Sequence, residues 1–79
     1  MPLQHHYYPF CVVYYYTADH NGDENYEAYA FDTFFEMEHD IVKAKRCPTN
    51  RPVRHSIHMT ADANLTSAQQ QRLSELRVY

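Results

Sequence analysis

The side chains that could do chemistry in these 79 residues are six histidines, two cysteines, ten carboxylates and eight tyrosines. A metal centre needs histidine, cysteine or carboxylate ligands converging from one face of an element. His55 and His58 lie three apart in a stretch that alternates like a strand, which sends them to opposite faces. His5 and His6 are adjacent, and His39, on the predicted helix, has neither cysteine nor carboxylate at i,i+4 spacing. Cys11 and Cys47 fit no metal spacing and no disulfide framework, so both are expected as free thiols. Cys47 follows the end of the predicted helix, where the dipole disfavours a thiolate nucleophile. No nucleophile, base and orienting group come together in the pattern. The expectation is no catalytic residue, no cofactor, no metal and no enzymatic activity.

The carboxylates and tyrosines are distributed more informatively. Residues 1–42 hold eight acids and no lysine or arginine, whereas residues 43–79 hold seven bases and two acids, a division of −8 against +5. Asp32 and Glu36 are accounted for at a helix start. Asp19, Asp23, Glu24 and Glu27 instead crowd a hairpin tip and one strand, beside Tyr14, Tyr16 and Tyr29. These seven residues are the candidate protein-binding set. An acidic rim around tyrosines suits docking on a Lys/Arg-rich protein surface, such as a groove that normally holds DNA or RNA. Solubility and protection of a sheet edge are the rival explanation of the same acids. A second reading is an RNA- or DNA-binding module that stacks bases on the tyrosine face and holds phosphates with the basic segment 43–54. Direct nucleic-acid binding is disfavoured, because the hairpin acids repel a phosphate backbone.

The elements that position these groups begin with a hairpin. Phe10–Thr17 and Tyr26–Phe31 are rich in aromatic and β-branched residues and are joined through Asn21-Gly22, a type I′ turn signal. That turn predicts pairs numbered to sum to 43: Thr17 with Tyr26, Tyr14 with Tyr29, Val12 with Phe31. Alternation places Phe10, Val12, Tyr14, Tyr16, Glu27, Tyr29 and Phe31 on one face. Cys11, Val13, Tyr15, Tyr26, Ala28 and Ala30 fall on the other. The small residues of the second face are expected to admit a helix. The aromatic face is then covered by residues 1–9, by the last helix, or by a second copy in a homodimer, the last being favoured.

Thr33-Phe-Phe-Glu36 reads as a capping box, and Phe34, Met37, Ile41 and Ala44 recur at helical spacing, predicting a helix over 33–46. Glu36, Asp40 and Lys43 fall on its far side. Two prolines within Cys47–Pro52 force a loop. Residues 53–60 alternate, with Val53, His55, Ile57 and Met59 facing inward; this third strand runs parallel to the second if the two are adjacent. A capped start near Leu65-Thr66 opens a short helix with Leu73 and Leu76 inward. The order is ββαβα, an α+β fold: a three-stranded sheet with the main helix on one face and a short C-terminal helix, all in one domain spanning 1–79. No apolar run approaches the ~20 residues of a membrane span, and the first residues lack the pattern of a secretory signal, so a cytoplasmic location and no membrane partner are expected.

Val12-Val-Tyr-Tyr-Tyr16, Tyr26-Glu-Ala-Tyr-Ala-Phe31 and Thr33-Phe-Phe-Glu36 together resemble the small inhibitors encoded by phages and mobile elements. These include anti-CRISPR proteins and phage inhibitors of host polymerase. The resemblance is one of pattern and carries over no functional residue. It implies a non-enzymatic binder that occludes a nucleic-acid site on a host protein complex.

Overall fold

The computed structural model describes residues 8–17, 22, 25–60 and 63–78. The order is β1 (Phe10–Tyr16), β2 (Asn25–Phe31), α1 (Phe34–Arg46), β3 (Arg54–Met59) and α2 (Ser67–Arg77), an α+β fold. The sheet has three strands in the order β2-β1-β3, and β1 is antiparallel to both neighbours. β3 therefore lies beside β1 and not beside β2, so the adjacency on which a parallel β2–β3 pair depends is absent, although the two strands run in the same direction on either side of β1. The connection through α1 carries the chain across the middle strand, so the helix lies over the sheet instead of along its edge.

The hairpin register is Phe10 with Phe31, Val12 with Tyr29 and Tyr14 with Glu27. It is two residues away from the register a turn at Asn21-Gly22 would set. In that register Thr33 would be drawn opposite Phe10. Instead Thr33 caps α1: its hydroxyl accepts from the Glu36 backbone N–H at 3.1 Å. Asn21 lies outside the described residues; Gly22 has a φ of +86°, the left-handed region that favours glycine. Because the slip is an even number of residues, every side chain keeps the face that alternation assigns to it.

The covered face is the aromatic one. Phe10, Val12 and Tyr14 of β1, with Ile57 of β3, are buried against Phe34, Met37 and Ile41 of α1 and Leu73 and Leu76 of α2. Phe10 meets Phe34 edge-on, with ring centroids 6.0 Å apart. Ala28 and Ala30 are exposed, contrary to the expectation that their face would receive the helix. Burial rewards apolar area removed from water, and the aromatic face offers far more of it than a row of alanines. Both helices contribute the cover, and the second copy that the aromatic face called for is not required there. Val53 and Met59 are also more exposed than alternation suggests, at 51% and 38%, because Val53 lies just before the short third strand and Met59 is its last residue.

α2 starts with a full capping box: the Gln69 N–H donates to Thr66 Oγ1, and the Thr66 N–H to Gln69 Oε1. Arg72 joins it to α1 by pairing with Glu38 while also reaching Glu75. The Lys45 ammonium donates to the Val78 carbonyl at 2.7 Å. Half-buried His55 of β3 lies 2.7 Å from the Leu76 carbonyl through Nε2, the nitrogen that must carry the proton in this contact.

Candidate functional site

Alternation along β1 and β2 brings Tyr14, Tyr16, Glu27 and Tyr29 to the same face, at the end of the sheet nearest the hairpin connection. The hydroxyls of Tyr16 and Tyr29 donate to the same carboxylate oxygen, Glu27 Oε1, at 3.0 and 3.1 Å. Among the described residues, Oε2 of Glu27 has no hydrogen-bond donor. The Tyr14 hydroxyl donates to Asp40 Oδ2 of α1 at 2.6 Å, and its ring lies 5.9 Å from that of Tyr29. Between the sheet end and α1, Tyr14, Tyr16, Tyr29 and Asp40 border an open cleft of about 340 Å³, with Lys43 and Cys47 on its helical side; Glu27 borders a separate cavity with Tyr16, Tyr26 and Arg51.

Burial and the neighbouring carboxylates raise the pKa of all three tyrosines. Burial, then the bond to Asp40, raises the Tyr14 pKa far above the usual value of 10.0. Burial and the bond to Glu27 push that of Tyr16 up to about 12, and the bond to Glu27 followed by burial raises Tyr29. All three stay protonated at neutral pH and serve as donors to fixed carboxylates. The result is a carboxylate on the surface whose position is set by two phenols, with a third phenol bracing the helix beneath.

Of the seven residues singled out by sequence, Tyr16, Glu27 and Tyr29 form this cluster and are at least partly accessible. Tyr14 belongs to it but is only 2% exposed, beneath α1. Asp19, Asp23 and Glu24 lie outside the described residues. The sequence pattern places Asp40 on the far side of the helix; instead it is half-buried and bonded to Tyr14. The signal was its spacing: it stands three residues after Met37 and four before Ala44, on the border of the buried stripe.

The basic segment 43–54 is divided. Lys43 lines the cleft, the Arg51 Nε–H donates to the Cys47 carbonyl at 3.3 Å, and Arg54 lies on the opposite face of the sheet. There its guanidinium sits 3.7 Å from the centre of the Tyr15 ring, beside Tyr26. Cys11 and Cys47 are free thiols, both half-buried. Among the described residues no three histidine, cysteine or carboxylate side chains gather as a metal site, and no helix is long and apolar enough to cross a membrane. Compared with protein-family models, with curated proteins and with solved structures, the chain finds no match in any of the three.

Proposed function

We propose that the chain is a small protein-binding module, an inhibitor of the phage or mobile-element type, that presents its hairpin end to a basic, nucleic-acid-binding surface of a host complex. The observation that carries this reading is the Glu27 carboxylate held by Tyr16 and Tyr29 on an exposed strand, with one oxygen directed to the phenols and the other without a donor among the described residues, in a cavity that Arg51 also lines. A carboxylate already fixed in place loses little freedom when an arginine or lysine pairs with it. Tyr29, 43% exposed, supplies the adjoining aromatic area that interface anchors commonly use. The sequence continues the acidic character through Asp19, Asp23 and Glu24, and the whole first half carries no cation to neutralise it. Tyr14 is an internal strut in this account and makes no contact with the partner.

The nucleic-acid reading is the weaker one. Its stacking platform, Tyr14, Tyr16 and Tyr29, is buried or tied to Glu27; Lys43 and Arg51 border cavities beside it, whereas Arg54 lies on the opposite face. The test is capture of the partner from host extract by the tagged chain, with bulk nucleic acid removed by nuclease. Capture of a protein with a basic surface, lost in Glu27→Lys and weakened by added salt, is the expected result. Retention of bulk nucleic acid by the purified chain, with no protein captured, would overturn it.

A further inference from the structure

The inner face of the sheet is filled by two helices, whereas among the described residues nothing lies on the outer face. The outer side chains fall into three rows across the strands. Tyr26, Tyr15 and Arg54 form one end row, Ala28, Val13 and Ser56 the middle, and Ala30, Cys11 and His58 the other end. The rows are graded in height. The first stands proud, with two rings 6.3 Å apart and the guanidinium stacked on one of them. At the opposite end Ala30 and Cys11 barely rise above the backbone, and only the exposed His58 of that row stands up from it.

We propose that this face is the contact surface for a second copy of the chain, related by a two-fold axis lying along the middle row. Such an axis reverses the strand direction, so the high row of each copy falls on the low row of the other. Tyr26 then packs over Ala30, Tyr15 over Cys11, and Arg54 beside His58, whose Nε2 already lies 3.0 Å from Ser56 Oγ. Sheets stacked face to face lie about 10 Å apart, a spacing that large-against-small pairing fills. The other in-plane axis, parallel to the strands, sets tyrosine on tyrosine at one end and leaves a gap at the other. Charge agrees with the first arrangement: Arg54 is the only lysine, arginine or carboxylate residue of the three rows, and the two copies of it end up at opposite ends of the stack. One cation is too few to hold a phosphate chain, which favours a second copy over a nucleic acid on this face.

The face is small. From about 3.4 Å per residue and about 4.8 Å between strands, its plane covers roughly 300 Å². Standard interfaces bury about 800 Å² per partner, so the dimer should be weak and should appear only with concentration. This surface is separate from the hairpin-end cluster, and either can fail without the other.

Sedimentation equilibrium of the full chain from about 10 µM to about 1 mM should show reversible dimerisation, and Ala28→Arg should weaken it by about tenfold or more. Ala28 is exposed, so this variant should unfold at the wild-type temperature when dilute. The row pairing is read separately by cross-linking. In a Cys47→Ser background, a short bis-maleimide should join Tyr15→Cys to Cys11 of the second copy as a covalent dimer, because stacked sheets stand too far apart for a disulfide, and adding Cys11→Ser should abolish it. A link between positions 11 and 15 of one chain leaves a product of monomer mass and is read apart from the dimer. A wild-type chain that stays monomeric throughout, or an Ala28→Arg variant that associates equally well, would overturn the proposal. So would a Tyr15→Cys cross-link that survives Cys11→Ser, or an oligouridine that shifts the Tyr26 and Ala28 amide resonances without self-association.

Discussion

Val12 and Val13 are the same residue one step apart in the chain, yet Val12 is fully buried and Val13 only half so. The difference is the whole difference between the two faces of the sheet. The inner face carries Phe10, Val12, Tyr14 and Ile57, and its apolar area is enough to hold both helices. The outer face mixes alanine, cysteine and serine with two tyrosines and an arginine, and neither helix goes there. The contrast shows that volume, not smoothness, decides which side of a small sheet is covered. Helices dock where most area leaves water, and their own stripe of Phe34, Met37 and Ile41 then interlocks with large side chains.

The comparison can be broken most severely from the inside. Ile41→Ala leaves a cavity under β1 and should cost about 2–5 kcal/mol in denaturant unfolding. Tyr14→Phe keeps the ring but removes the donor to half-buried Asp40; a loss of about 1–2 kcal/mol is expected, measured the same way. Thr66→Ala removes the cap of α2 and should cost about 1 kcal/mol, with the loss concentrated in amide exchange of that helix.

Next in size is the response to pH. Burial, opposed in part by the bond to the Leu76 carbonyl, holds the His55 pKa below its ordinary 6.5. As pH falls through that value the unfolded chain takes up a proton that the folded chain resists, so stability present above pH 6.5 is lost on acidification. At the other extreme Tyr16 ionises near 12 when folded but near 10.0 when unfolded. Its contribution is complete below pH 10 and disappears as pH rises through 12. Thermal melts across both ranges, repeated in Tyr16→Phe for the alkaline limb, check the two signs. The smallest effect belongs outside: Tyr26→Ala, 66% exposed, should change the stability of the dilute chain by less than about 0.5 kcal/mol.

Much of this arrangement is legible in the sequence. Thr33 and Thr66 announce their helices through the acid or amide three residues later, and both caps form. Alternation assigns Tyr16, Glu27 and Tyr29 to one face, which is why the cluster can be anticipated although the hairpin slips by two. What alternation alone does not carry is which of the two faces the helices choose; the apolar area each face can bury decides that, and an argument from small residues passes it over. The same long-range choice hides Asp40. Its bond to Tyr14 exists only because the crossover lays α1 over the aromatic face, whereas helical spacing alone leaves it on the stripe's border.

Glu27 and Ala28 offer the most direct measurement, since they are adjacent in β2 and point to opposite faces. Association of Glu27→Lys and Ala28→Lys with the captured partner should be followed at low and high salt, with wild type alongside. The account predicts that Glu27→Lys associates far more slowly than wild type at low salt, the gap narrowing as salt screens the charges. Ala28→Lys should bind the partner as wild type does while losing self-association. Equal binding by wild type and Glu27→Lys at low salt, or a loss confined to Ala28→Lys, would contradict the assignment of the hairpin end as the docking site.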